Sequence, residues 1–243
     1  MEFNSLLEWT AEGMRFSLFT PHVSTDHDGW WESFVGVAPA SKTSKPATME
    51  TLYNGEFEQG LLELRVLPDR IDWIYGPIAG QTPFVPSVGP FKVQLGLFLN
   101  GFNKWLEAYG CTYSRLAFAT TILNETEGRE SGYSELNNVL PFMPLSNGKW
   151  QDFFLQFNKP IKTSIGQHEL IRINRLINFS VASFKFFAFP NVALSPSEKH
   201  FARIEYDINT HIEDTNEFDK LDSLELIDRL IDIIDATKSA SEV

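Results

Sequence analysis

A chain of 243 residues, 43% hydrophobic and 21% charged, has the makeup of a folded domain, which excludes general disorder and collagen-like repeats. Its single cysteine, Cys111, excludes an internal disulfide and a multi-cysteine zinc site. The net charge of −12 is unevenly spread: residues 1–148 carry 9 basic and 17 acidic side chains, 149–204 carry 8 and 3, and 205–243 carry 3 and 12.

In chain order, Met14, Phe16, Leu18 and Thr20 alternate with Arg15, Ser17 and Phe19, which predicts a strand over Glu12 to Thr20. Pro21 to Ala47 reads as loop, with a short strand at Ser33 to Val37. Leu61–Leu67 and Arg70–Tyr75 flank Pro68-Asp69 and predict a hairpin. The proline-rich run from Gly80 to Pro90 marks a boundary between a β-rich region, 1–88, and a second region, 89–243, which stay compatible with one continuous domain.

Phe91, Leu95, Phe98, Leu99, Phe102, Leu106 and Tyr109 recur at helical spacing and predict a helix over Phe91–Tyr109. Gly110 follows where a left-handed terminator is favoured. A strand over Thr112–Leu123 and a short helix over Ser134–Val139 come next. Further strands are predicted at Gln151–Phe157, His168–Asn174, Phe179–Phe189 and His200–Asn209, with Asn178 turning the chain between the second and third. The chain closes on an amphipathic helix, Leu221–Lys238, with apolar face Leu224, Ile227, Leu230, Ile231 and Ile234. Asp222 and Glu225 form its capping pair. Helices are too few for parallel crossovers, so the fold class is α+β: mainly antiparallel sheets in two halves, with central and C-terminal amphipathic helices. No repeat of 20–50 residues is present.

Absent motifs narrow the chemistry. The chain has no Gly-x-x-x-x-Gly-Lys loop, no Gly-x-Gly-x-x-Gly, no Gly-x-Ser-x-Gly and no His-Glu-x-x-His. Glu205 and Asp207 share a face of the last strand, but without the lysine that a magnesium-dependent nuclease needs. Cys111 has no histidine near it in sequence to act as base.

Three surfaces remain. The adjacent Trp30 and Trp31 on a loop are the residue type that anchors protein interfaces. Asp222, Glu225, Asp228, Asp232 and Asp235 form an acidic stripe on the last helix that suits a basic partner. Together they predict a partner-binding protein. The alternative is a nucleic-acid module: Lys159, Lys162, Arg172, Arg175, Lys185 and Arg203 are interleaved with phenylalanines across the C-terminal strands. In Phe184-Lys185-Phe186, however, alternation sends the lysine away from both rings. A metal-dependent hydrolase centred on His22, Asp26, His27 and Asp28 is the other alternative, since imidazole and carboxylate both ligate divalent metals.

Ser114-Arg115-Leu116-Ala117-Phe118 after the central helix, Ile204 to Thr210 in the last strand and the closing helix resemble a sporadically distributed, uncharacterised prokaryotic family of about this length. The resemblance covers about a fifth of the chain, without that family's usual opening, and implies a mobile-element or host-defence setting but no catalytic residue. The reading is a non-catalytic protein-interaction component of a bacterial multi-protein system. It needs no cofactor, and its partner is another protein, with self-association and nucleic acid as alternatives. No basic-then-apolar leader opens the chain, and no run approaches the ~18 apolar residues of a membrane span. The expected setting is therefore cytoplasmic, away from any membrane.

Overall fold

Alternation along the first strand decides which way the molecule faces. In the computed structural model, which describes residues 9–78, 87–110, 112–145, 150–186, 197–214 and 216–236, strand β1 (Thr10–Phe19) buries Met14, Phe16 and Leu18. Those side chains point to the face that the helices cover, while Gly13, Arg15, Ser17 and Phe19 take the opposite one. The described residues form one antiparallel sheet of eleven strands and four helices.

The elements follow in order. After β1 come α1 (Trp30–Val35), β2 (Ser41–Lys45), β3 (Glu50–Phe57), β4 (Gly60–Val66), β5 (Arg70–Gly76), the two-residue β6 (Gly89–Pro90) and α2 (Phe91–Tyr109). The second half holds β7 (Arg115–Thr126), α3 (Arg129–Val139), β8 (Phe154–Asn158), β9 (Ile161–Ile165), β10 (His168–Phe186), β11 (Ser197–Thr210) and α4 (Lys220–Ala236). Across the sheet the order is β2-β3-β4-β5-β1-β7-β11-β10-β8, with β6 beside β1 and β9 beside β10.

The two halves follow a similar order. Strand, helix, a run of strands, helix occurs once up to α2, with five strands in the run if the two-residue β6 is counted, and again from β7 with four, and the two first strands lie antiparallel at the centre of the sheet. Their register pairs Ser17 with Ala117. Arg15-Phe16-Ser17-Leu18-Phe19-Thr20 also matches Arg115-Leu116-Ala117-Phe118-Ala119-Thr120 in type, so sequence and register place a pseudo-two-fold axis at that pair. The halves depart where β10 is long enough to take both β8 and β9 along one side. The change-over falls at Gly110, and the sheet runs without a break from β5 through β1 and β7 to β11. The expected boundary at 88/89 adjoins residues 79–86, which lie outside the described residues.

The core is aromatic on the covered face. Phe16 stacks on Phe98 and Phe102 of α2 at 5.4 and 4.4 Å and meets Phe118 of β7 at 4.6 Å. Phe16 thus links α2 to the second half through Phe118, each buried ring adding roughly 1.5–3 kcal/mol. Trp73 of β5 stacks on Phe34 of α1 at 4.2 Å. Phe34 also lies against Gly101 of α2, where a Cβ would run into its ring.

Several expectations needed correction. The apolar run around Ser33 is helix α1, not a strand: Trp30, Trp31 and Phe34 all point inward, and Gly29 (φ 80°) and Gly36 (φ 88°) bracket the turn. Strands β2, β3, β6 and β9 lie where no strand is expected. Asn178 does not turn the chain; it sits in mid-β10, opposite Glu205 and Gln156. Gly110 is not left-handed (φ −58°); it is needed because a Cβ there would strike the Leu106 carbonyl oxygen. Helix α4 is capped three residues earlier than expected. Asp222 N–H donates to Asp219 Oδ1 at 2.9 Å, and Asp219 N–H returns a bond to Asp222 Oδ2 at 3.3 Å. Its fully buried face is Leu226, Ile227, Leu230, Ile233 and Ile234, with Leu224 and Ile231 at the margin. The bounds of α2 match the expectation, while of its expected apolar face Leu99 is only partly buried and Tyr109 is exposed. Among the described residues no helix is long and apolar enough to cross a membrane.

The sheet ends in unlike edges. On β2 every residue is exposed and two of five are lysines, whereas β8 presents Phe154, 60% exposed.

Candidate functional site

Burial on the covered face leaves the other face of the central strands with small and polar side chains. Gly13 and Ser17 of β1 and Ala117, Ala119 and Thr121 of β7 form its floor, and β5 and β11 raise longer side chains on either side. A cavity of about 560 Å³ lies there, lined among others by Arg15, Ile74, Ala119, Leu176, Glu205 and Asp207.

Most arginines on this face are set against carboxylates. Arg65 meets Glu63 at 3.0 Å and Glu50 at 3.5 Å, and Arg70 meets Asp72 at 2.9 Å. Arg203 meets Glu12 at 3.1 Å and also pairs with Glu205, which accepts from Asn178 Nδ2 at 2.9 Å. Arg115 donates to the Thr210 carbonyl and to Asn209 Oδ1, with its guanidinium 4.8 Å from the Phe19 ring centre. Arg15 is exposed and makes no ion pair among the described residues. Asp207 accepts from Asn209 Nδ2 at 2.9 Å and likewise makes no ion pair among them.

The residues singled out from sequence are distributed differently from expectation. Trp30 and Trp31 are 4% and 1% exposed, packed on Trp105 and Trp73, so neither ring is offered to a partner. They were misread because they follow a polar loop; their burial depends on α2 and β5, which are distant in sequence. On α4, two members of the acidic stripe serve the fold. Asp222 meets His168 Nε2 at 3.2 Å and Glu225 accepts the Gly166 N–H. Asp228 and Asp232 face solvent, and burial together with Asp232 raises the Asp228 carboxyl above its ordinary range. The side chain of Asp235 lies outside the described residues, as does Cys111.

The basic set does not form one patch. Lys162, Arg172 and Arg203 share the open face, Arg175 and Lys185 have the other strand parity, and Lys159 sits between β8 and β9. Arg172 is clamped by Asp214 at 2.8 Å and Glu213 at 3.3 Å, while Arg175 donates to the Lys159 carbonyl. Although partial burial works against it, hydrogen bonds from the Arg172 N–H and guanidinium hold the Asp214 carboxyl below its ordinary range.

The histidine loop is likewise committed elsewhere. His27 Nδ1 lies 2.6 Å from Tyr53 Oη, Asp28 bonds Lys42 at 2.9 Å, and the Asp26 carboxylate accepts the Asp28 N–H at 3.4 Å. Burial and the Lys42 charge lower the His27 imidazole, and the Lys42 hydrogen bond lowers Asp28. His22 is exposed, and among the described residues no three His, Cys, Asp or Glu side chains are grouped to hold a metal.

Sequence reasoning singled out neither Arg15 nor the small floor as a site. The usable sign was small residues, Ser17, Ala117 and Ala119, alternating with buried rings. Against family models and curated proteins, the chain matches none.

Proposed function

We propose that this protein is a non-catalytic interaction component of a multi-protein assembly, and that its partner protein docks on the open face of the sheet. One observation carries the reading: among the described residues all four helices pack on one face of an eleven-stranded sheet, leaving a broad face whose charges alternate in sign. Arginines neutralised by neighbouring carboxylates suit a protein surface of mixed charge. A nucleic acid would demand uncompensated positive potential. The resemblance of Ser114 to Phe118 and of the last strand extends the reading to a bacterial, host-defence setting in the cytoplasm.

Carboxyl footprinting on the native complex isolated from its own host tests it. The expected outcome is a stoichiometric second polypeptide that shields Glu63, Glu205 and Asp207 while Glu130, Glu135 and Asp232 on the helical side still label. Shielding confined to the helical side overturns the docking face. Turnover of a substrate by the isolated chain, lost on a point substitution, overturns the non-catalytic reading.

A further inference from the structure

One row across the centre of the open face reads apolar, cation, small, anion, apolar. Ile74 of β5 pairs with Arg15 of β1, Arg15 with Ala119 of β7, Ala119 with Asp207 of β11, and Asp207 with Leu176 of β10. All five line the same cavity. Neighbouring strands lie about 4.8 Å apart, so Arg15 and Asp207 stand roughly 10 Å apart at the backbone, with only the Ala119 methyl between them.

The other charges around the cavity are engaged. Arg203 is held between Glu12 and Glu205, and Glu205 also takes the Asn178 amide. Arg15 and Asp207 are opposite charges, neither in an ion pair among the described residues, held across a floor too small to obstruct a ligand. A guanidinium takes a carboxylate in a two-point contact, and a carboxylate takes an ammonium.

We propose that this cavity binds a small zwitterion, a free apolar amino acid or its dipeptide. Its carboxylate lies on Arg15, its ammonium on Asp207, and its side chain against Ile74 or Leu176. Two charge-assisted contacts of about 2.8 Å, with the few ångströms between the ligand's own charges, add up to a length of the same order as that strand spacing. The cavity is an open depression of about 560 Å³, large enough for a ligand of this size to lie along the row. The cavity lies on the face proposed for docking and shares Asp207 with it, but ligand binding is read on the isolated chain, so its failure and the failure of the docking reading are distinguishable.

Isothermal titration and thermal shift on the full chain test it, with leucine and leucyl-leucine as probes and N-acetyl-leucine and leucinamide as controls that lack one charge each. Saturable binding of a zwitterion is expected, with each control weaker by roughly tenfold or more. Arg15→Gln is expected to remove the preference for leucine over leucinamide, and Asp207→Asn the preference over N-acetyl-leucine. Ala119→Leu fills the floor and is expected to abolish binding with both charges in place. Circular dichroism checks that each variant is folded. No saturable response to either probe at about 10 mM, binding of the controls as tight as the zwitterions, or binding unchanged by all three substitutions overturns the proposal.

Discussion

Trp31 illustrates how much a single side chain depends on its surroundings. It is 1% exposed against Trp73, yet its indole N–H finds no hydrogen-bond partner among the described residues. Truncation to alanine should therefore cost about 3–5 kcal/mol in denaturant unfolding. Trp31→Phe removes the unsatisfied N–H along with some packing and should cost far less. Gly101→Val should destabilise by roughly 1–3 kcal/mol, because its side chain must displace the Phe34 ring. His27 gives a pH signature. Its imidazole titrates below the ordinary value of 6.5 in the folded chain, so the unfolded chain binds its proton first as pH falls. The stability His27 contributes is complete above 6.5 and lost as pH falls through the lowered folded value. In urea titrations at a series of pH values, His27→Gln should flatten that part of the profile.

At the scale of elements, legibility followed length and periodicity. Nineteen residues of helical spacing fixed α2 to the residue, while α1 has six and owes its form to contacts with α2 and β5. Strand β10 departs from expectation because asparagine favours turns locally, yet the Asn178 Nδ2 donates to Glu205 of the next strand. The α4 cap was displaced for a similar reason: Asp219 and Asp222 cap each other, which the Asp222–Glu225 spacing obscured. Asp219→Ala should cost about 1 kcal/mol in thermal unfolding.

For the whole molecule, the α+β class and the antiparallel sheet were legible, because alternation and short connections survive in sequence. The similar order of the two halves was not, since only the stretch around Ser17 and Ala117 keeps a trace of it. Nor was the central row, whose members come from five strands that become neighbours only when both halves share a sheet. The shared sheet has a measurable consequence. With β1 and β7 paired and Phe16 packed on both α2 and Phe118, calorimetry should give one unfolding transition with matching van't Hoff and calorimetric enthalpies. Two resolved transitions would mean that the halves melt independently.

The unlike ends of the sheet bear on growth. A strand edge recruits another chain unless charge or irregularity blocks it, and the lysines of β2 block theirs. Among the described residues, strand addition is then favoured at the opposite end, along β8, where Phe154 is exposed. A body with one sticky end caps itself: two copies joined there form a closed, two-fold pair and leave no open end from which a fibre could lengthen.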